Sequence, residues 1–320
     1  MILVCGEALV DLFADLPAPL GPILRVAVGG SPLNVAVGLA RLETSVGFFG
    51  GLSTDCFGSL LADAMQREGI DISLVKRSAR PTPLVLVSPD RHGHPSYTFY
   101  AHETADQDVE LADVLSAPLP SSVVAIALGS YALAVEPVGT SLLSLTEREA
   151  QQRVIALDCN LRPAMVGSLA LWRKRIERFA RCVSIVKLSD EDFASGWGEV
   201  ARPEEQAARW LGQGVKLVVM THGARGATCW HHSGRVRAAA WPTPIADTVG
   251  AGDSFQAGLL ARLKQKGLLS SNALATLDTS SIADAMRYAS LAAGMTCARR
   301  GADPPRRAEI EASLGEPPRQ

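Results

Sequence analysis

The sequence has little that would point to nucleic acid or to a membrane. Its formal net charge is −2, and without a basic excess or a Lys/Arg stripe a nucleic-acid partner is not expected. The longest apolar run, residues 123–135, is interrupted by glycine, serine and tyrosine and falls short of the ~20 residues that span a bilayer. The N-terminus has no basic segment and carries Glu7 and Asp11 early, which argues against a signal peptide. We therefore expect a soluble, cytoplasmic protein.

Common metal-binding and nucleotide motifs are also missing from the sequence. None of the six cysteines forms a CxxC pair, so a zinc site is not expected, and buried free thiols in a reducing compartment are the simpler interpretation. No histidine spacing indicates a metal site either. Neither a Walker A lysine loop nor a GxGxxG fingerprint occurs, which argues against a P-loop ATPase and a dinucleotide-binding enzyme.

What the chain does have is ample apolar material, 47% of its 320 residues, arranged in short runs. Six runs are compact and apolar on both faces, as in a buried parallel sheet: residues 2–5, 46–49, 123–128, 154–157, 183–188 and 215–220. Helical patterns occur at residues 34–42, 58–68, 169–181, 204–212, 251–266 and 280–298. This alternation predicts an α/β fold with a doubly wound, mostly parallel sheet flanked by helices.

One region breaks this rhythm. Residues 82–88 and 96–100 read as strands and flank a polar turn, residues 90–95, which predicts an antiparallel hairpin outside the main sheet. Residues 12–28 are rich in proline and glycine and are expected to join the same layer. We interpret these segments, about 12–28 and 82–104, as a small β-sheet lid. The charged, proline-rich end of the chain, residues 304–320, is expected to fray.

The strongest chemical signal is residues 247–258, DTVGAGDSFQAG. Two glycines stand directly before a predicted helix, and glycine lets the backbone turn sharply and aim several N–H groups at one point. Together with the positive end of the helix dipole, these amides suit a phosphate whose charge grows in a transition state. Asp253 would repel that phosphate, so its position in the first helical turn fits better a base that accepts the proton of an attacking hydroxyl.

A simpler interpretation remains open for this segment. It could be an ordinary glycine turn in which Asp253 only stabilises the start of a helix. The full string is more specific than its two glycines, because the turn, the acid and the helix occur in a fixed order.

The complete set of motifs resembles the ribokinase-like (PfkB) carbohydrate kinases. Residues 247–258 resemble the second signature of that family, GGSPLN at residues 29–34 resembles its sugar-binding segment, and residues 49–58 resemble the rest of its first signature. The segments at residues 158–162 (DCNLR), 187–192 and 221–226 also look like family segments, in the family's order. The resemblance implies a single ribokinase-like domain over residues 1–320, with a β lid over the sugar.

The resemblance also implies roles for individual residues. Catalysis would use the base Asp253, the anion hole of Gly250, Ala251 and Gly252, and Arg162. The sugar would be held by Asp11, Gly29, Gly30, Asn34, Tyr97, Phe99, Asn160 and Asp253. ATP would contact Lys187, Ser189, Thr221, Gly223, Gly226, Gly250, Gly252 and Ala289. Asp192 and Asp247 would serve metal ions, namely Mg²⁺ and a monovalent cation such as K⁺ near Asp247 and Gly301.

Several of these residues have plainer interpretations that the sequence leaves open. Asn34 could cap a helix, Asp11 could be a loop acid and Arg162 could form a surface ion pair. The acids of residues 189–192 could be a solvated helix start, and Thr221 and Gly223 could only shape a turn. Ala289 could simply pack between helices.

The expected substrate is D-fructose, because the opening residues 6–11, the lid and the NLRP segment at residues 160–163 resemble fructokinase-like members. 2-Dehydro-3-deoxygluconokinase and ribokinase are the alternatives, and a sugar- or nucleotide-binding regulator is the alternative of another class. Two departures matter: Ser189-x-x-Asp192 stands where the family often has Asn-x-x-Glu, and Ala101 stands where fructokinase-like lids often carry arginine. A homodimer through the edges of the lid is also expected.

Overall fold

The computed structural model describes residues 1–16, 21, 23–89 and 95–314. The strands are β1 (Ile2–Cys5), β2 (Leu9–Leu16), β3 (Ile23–Gly29), β4 (Val46–Phe49), β5 (Gly51–Ser53), β6 (Lys76–Ser78), β7 (Leu84–Pro89), β8 (Pro95–Tyr100), β9 (Ala125–Gly129), β10 (Val154–Asp158), β11 (Ile185–Ser189), β12 (Leu217–Thr221), β13 (Ala227–His231) and β14 (Gly234–Ala238). The helices are α1 (Ser31–Arg41), α2 (Cys56–Arg67), α3 (Leu111–Leu115), α4 (Val138–Glu149), α5 (Leu169–Ala180), α6 (Asp190–Trp197), α7 (Pro203–Gly212), α8 (Ala251–Gln265), α9 (Ser271–Ala275), α10 (Thr279–Cys297) and α11 (Arg307–Leu314).

The main sheet has eight strands in the order β14-β13-β12-β11-β10-β9-β1-β4. From β12 to β4 all neighbours pair in parallel, whereas β13 and β14 are added antiparallel. Parallel strands need crossover connections, and helices on the two faces supply them. The predicted α/β fold with a mostly parallel sheet is confirmed.

The core lies on both faces of this sheet. In β1, Ile2 and Val4 face one buried cluster, and Leu3 and Cys5 face the other. The first cluster includes side chains of α1, α8 and α10, and the second includes side chains of α4, α5 and α7. A strand covered on both sides has to be apolar at every position, which is why these strands read as continuous apolar runs.

The segments that we interpret as a lid form a separate sheet of four strands in the order β3-β2-β7-β8. Strands β7 and β8 form the expected antiparallel hairpin, and β2 joins β7 in parallel. The predicted turn between β7 and β8, residues 90–95, lies largely outside the described residues. Residues 17–20 and 22 of the first lid segment also lie outside them. The sheet begins at Leu9, earlier than the expected start near residue 12.

Some elements differ from the expectation. The apolar run at residues 123–135 is split between β9 and a short 3₁₀ turn, Tyr131–Leu133. Residues 307–314, which we expected to fray, form α11, and Ile310 of that helix is fully buried; residues 315–320 lie outside the described part. Among the helices of the described residues, none has the length and apolar character needed to cross a membrane.

Candidate active site

The candidate site lies where the parallel strands of the main sheet end. Asp158 ends β10, Ser189 ends β11 and Thr221 ends β12. Parallel strands present their carboxyl ends at one edge, where ligands of open α/β sheets bind. The start of α8 reaches the same edge, since a Cβ atom added to Gly252 would lie 3.2 Å from Lys187 Nζ of β11.

Asp253 is 6% exposed and is held by side chains from distant parts of the chain. Ser31 Oγ donates to its Oδ1 at 2.6 Å, and Asn34 Nδ2 donates to its Oδ2 at 2.8 Å. Asn160 Nδ2 donates to Ser31 Oγ at 2.8 Å and approaches Asp253 Oδ1 at 3.4 Å. Each carboxylate oxygen can accept more than one hydrogen bond, so this network orients the acid and still leaves room for a substrate hydroxyl.

The glycine turn before α8 has the backbone that the motif predicts. Gly250 is left-handed, with φ of 75°, and a Cβ atom there would lie 2.6 Å from the Cβ of Ala302. The Ala251 N–H donates to the Thr248 carbonyl at 3.3 Å, so this amide is partly engaged within the turn. The N–H groups of Gly252 and Asp253 lie in the first helical turn, which has no acceptors of its own for them. An anion bound at this helix start would therefore meet the amides of Gly252 and Asp253 more directly than that of Ala251.

Lys187 supplies the positive charge next to that turn. It is 3% exposed, and its Nζ donates to Asp158 Oδ2 at 2.6 Å. Burial alone would lower the pKa of this amine, but Asp158 and the nearby Asp253 and Asp192 outweigh burial and raise it. The lysine therefore stays charged, as a phosphate ligand requires.

Gly29 and Gly30, which we expect to hold the sugar, let the backbone pass close to neighbouring groups. A Cβ atom at Gly29 would lie 2.2 Å from Asp11 Oδ2, and one at Gly30, whose φ is 105°, would lie 2.9 Å from the Glu7 carbonyl oxygen. Burial raises the pKa of Asp11 to about 6. These residues place a carboxylate beside the backbone turn that precedes α1.

An open groove is lined by residues of β8 and of the 3₁₀ turn Pro163–Met165. Tyr97, Phe99, Ala101 and Met165 are among its lining residues. Phe99 packs edge to face on Tyr131, with ring centroids 6.2 Å apart.

Arg162 ends the segment that leads to this groove. Its Nη1 donates to the carbonyl of the adjacent Leu161 at 3.1 Å. It also acts electrostatically on two neighbours, since its charge opposes the raised pKa values of both Glu7 and Tyr97. Arg162 therefore lies near Glu7 and Tyr97.

The other residues that we expect to bind the nucleotide or a metal ion also take part in local structure, as helix caps, turns or strand ends. Ser189 and Asp192 form a capping box at the start of α6, and Asp192 Oδ1 also accepts the Leu161 N–H at 2.9 Å. Gly226, with φ of 88°, passes so near Ala238 that a side chain would meet its carbonyl at 2.1 Å. Thr221 and Gly223 lie at the end of β12 and in a 3₁₀ turn.

Two further residues lie apart from this cluster. Ala289 is fully buried and lies against Gly258, where α10 packs on α8, so helix packing is sufficient to account for it. Asp247 Oδ2 accepts the Gly301 N–H at 2.8 Å, and its Oδ1 accepts the Val249 N–H at 3.1 Å. The residues expected near a monovalent cation are thus adjacent, while the described residues contain no cluster of three or more metal-ligating His, Cys, Asp or Glu side chains.

Known proteins resemble this chain along nearly its whole length. Residues 1–309 match the pfkB family carbohydrate kinases. The chain belongs to this family. The membership confirms the predicted class of enzyme, an ATP-dependent sugar kinase, and a fructokinase from Rhizobium leguminosarum bv. trifolii is 36% identical over 278 residues, covering 87% of this chain and 84% of that relative.

Solved structures agree with this kinase in fold. Fructokinase with bound ATP from Xylella fastidiosa has a TM-score of 0.86 at 25% identity, covering 98% of this chain and 99% of that one. Fructokinase from Vibrio cholerae O395 in its fructose-, ADP- and calcium-bound form has a TM-score of 0.81 at 28% identity, covering 97% of both chains.

Three residues of the candidate site were not singled out from the sequence. Ser31 bonds Asp253, Asp158 pairs with Lys187, and Glu7 is buried beneath Gly30. Burial raises the pKa of Glu7 to about 8, although a hydrogen bond with Ser130 opposes that shift. All three stand in segments that resemble the family, at residues 6–11, 29–34 and 158–162, but the type of residue alone did not single them out there.

Proposed function

We propose that this kinase transfers the γ-phosphoryl group of ATP to the 6-hydroxyl of D-fructose, with Asp253 as the base. The observation that carries the proposal is the convergence of three elements on one point. A buried carboxylate, the first-turn amides of α8 and the charged Lys187 lie together at the edge of the sheet. An acid that lies next to an anion site can deprotonate an alcohol while the anion site stabilises the phosphoryl group.

In the proposed step, the 6-oxygen of fructose attacks the γ-phosphorus and its proton passes to Asp253. The bond from the γ-phosphorus to the β–γ bridging oxygen breaks, and ADP leaves with that electron pair. The amides of Gly252 and Asp253, with Lys187, face the charge that spreads over the phosphoryl oxygens. Because Ser31 and Asn34 bond both carboxylate oxygens, Asp253 is oriented before the substrate binds.

Mg²⁺ fits this site as an ion held mainly by phosphates and water. Asp192 accepts one N–H on each oxygen, from Leu161 and Ser189, and keeps lone pairs that could bind a metal-bound water. When bound, the ion would neutralise charge on the phosphate oxygens. Asp192 would hold it through water, and Asp247 beside Gly301 remains the proposed neighbour of a monovalent cation.

Fructose is favoured over an acidic sugar by the chemistry of the lid. Ala101 lines the groove at 8% exposure and brings no charge to it, while a carboxylate-bearing substrate would need a cation there. Asp11 and the glycines before α1 suit the hydroxyls of a neutral sugar. The similarity to fructokinases along most of the chain supports the same substrate.

The decisive experiment measures ADP release with ATP and a panel of sugars. We expect kcat/KM to be highest for D-fructose, ahead of D-ribose and 2-dehydro-3-deoxygluconate. Faster turnover of either of those two would replace fructose by that sugar. No ADP release with any sugar of the panel would favour the regulator hypothesis, and ADP release that does not depend on sugar would contradict transfer to a sugar.

We also propose that two copies associate through the lid. Its edge strands expose apolar side chains, with Ile23 56%, Leu24 39%, Val26 42% and Tyr100 58% exposed. Edge strands with apolar residues are natural pairing surfaces. Sedimentation analysis should give a dimer that Val26→Lys weakens; a wild-type monomer at micromolar concentration would contradict it.

A further inference from the structure

A small cavity lies behind the catalytic carboxylate, between the main sheet and the first turns of α1 and α8. Its volume is about 10 Å³, close to the least space that holds one water molecule. Val4 and Val35 form part of an apolar wall. Ser31, Asp158 and Gln256 contribute polar atoms to the rest of the cavity wall.

Gln256 brings an amide into this cavity that the protein itself does not satisfy. Its side chain is 1% exposed, and among the described residues neither Oε1 nor Nε2 has a hydrogen-bond partner. Asp158 is 3% exposed, and its Oδ1 also has no partner in the described part of the chain. Buried polar atoms are costly without partners, and folded proteins satisfy nearly all of them with protein groups or ordered water.

One water molecule matches both residues. Water donates two hydrogen bonds and accepts two, so it can accept from Gln256 Nε2 and donate to Asp158 Oδ1. The second oxygen of Asp158 is already bonded to Lys187 at 2.6 Å. A water on Oδ1 therefore holds the carboxylate from the side opposite to the lysine.

We propose that this cavity is a water site, and that Gln256 acts through the bound water as a positioning residue for Asp158 and Lys187. Lys187 Nζ lies beside Gly252 at the start of α8. The position of this amine should therefore affect the binding of ATP more than the binding of the sugar. The water site depends only on the cavity and on the side chains of Gln256 and Asp158. Its effect on the kinetics rests on the proposed phosphoryl transfer.

A crystal structure of the wild-type protein tests the water directly. We expect one ordered water within ~2.7–3.2 Å of both Gln256 Nε2 and Asp158 Oδ1. A dry cavity overturns the proposal, and so does a Gln256 amide that bonds a protein group instead. This readout stands even if the wild-type protein shows no sugar-dependent ADP release, in which case only the proposed function falls.

Kinetics of Gln256→Met tests the positioning role. Methionine keeps the length of the side chain and removes both polar atoms, so the KM for ATP should rise by about five- to tenfold while the KM for fructose changes less than about twofold. Equal changes in both KM values, or no change in either, would show that Gln256 is merely structural or irrelevant.

Two more variants complete the design. Gln66→Met makes the same chemical change on an exposed position of α2 and should leave both KM values unaltered. Val35→Ile places an extra methylene in the cavity wall and leaves Gln256 intact. If it displaces the water, it should reproduce the ATP effect, even where Gln256→Met does not fold; an unchanged KM for ATP with the water displaced contradicts the proposal.

Discussion

The phosphate end of the candidate site, which comprises Asp253, Lys187 and the start of α8, differs from the lid in how firmly the protein fixes the polar groups. At the phosphate end, Asp253 accepts hydrogen bonds of 2.6 and 2.8 Å from Ser31 and Asn34, and Lys187 is buried in an ion pair. At the lid, Tyr97 is 47% exposed and lines an open groove. Under the proposed function, this difference means that the groups for phosphoryl transfer would be in place before the sugar binds, whereas the sugar would complete its own binding surface.

This division has a physical reason. Stabilising a charge that develops in the transition state is most effective when dipoles and charges need no reorganisation, and buried hydrogen bonds provide that rigidity. As a lid, the sheet of β2, β3, β7 and β8 would have to open for each sugar, so its groups would be less firmly fixed. Substitutions at the two regions should therefore differ in whether they change kcat or KM.

The largest effect is expected at Asp253. Asp253→Asn keeps the size of the side chain but cannot take the proton of the sugar hydroxyl, so kcat should fall at least ~10²-fold. The KM for fructose should change little. ADP release at saturating substrates measures this, with Asp63→Asn, an exposed acid of α2, as the matched control. Near-normal turnover would remove Asp253 from the role of base.

Glu7, below the sugar side, should make stability depend on pH. Burial raises the pKa of Glu7 from 4.5 to about 8, so the folded protein holds this proton more tightly than the unfolded chain. The stabilisation is complete below pH 4.5 and is lost as the pH rises towards 8. Glu7→Gln should therefore be more stable than wild type above pH 8, by an amount on the order of 4 kcal/mol.

Urea unfolding at several pH values between 5 and 9 measures this difference. The variant should keep a shallower pH dependence, because burial also raises the pKa of Asp106. Parallel curves for wild type and variant would contradict a neutral Glu7 in the folded protein.

Asp11 offers a test on the lid side. Burial raises the pKa of Asp11 to about 6, so below that pH the group gains a proton and accepts hydrogen bonds from fructose less well. The KM for fructose should rise about tenfold between pH 7 and pH 5. Asp11→Asn should have a raised KM that no longer varies over this range; an unaltered pH profile would assign the dependence to another group.

The smallest effect is expected at Ala101 in the groove. Ala101→Arg adds a cation beside the sugar, so kcat/KM for 2-dehydro-3-deoxygluconate should improve relative to fructose by several-fold, up to about tenfold. The kcat for fructose should stay nearly constant, since the phosphate end is untouched. Ala101→Gln, of comparable length without charge, is the control. A similar gain with glutamine would show that size rather than charge is responsible.

Much of the fold could be predicted because its signals are local. Strand β1 reads as apolar at every position, and residues 247–258 combine a glycine turn, an acid and a helix start within one stretch. The bounds of α8 at Ala251–Gln265 and the left-handed Gly250 agree with that pattern. The burial of Ala289 and the bond from the Ala251 amide to Thr248 could not be predicted in this way, since they depend on how the chain packs around these residues. The roles that we expect for these residues stay predictions.

The sequence by itself determined the layered α/β fold, the glycine turn before α8 and the acid beside it, because periodicity, glycine and short motifs act over a few residues. The tertiary structure alone decided which groups surround that acid. Ser31 and Asp253 are separated by 222 residues, and Asn160 and Ser31 by 129, yet they share one hydrogen-bond network. Such contacts arise when parallel strands bring their carboxyl ends to a common edge, and no local pattern in the chain encodes which side chains meet there.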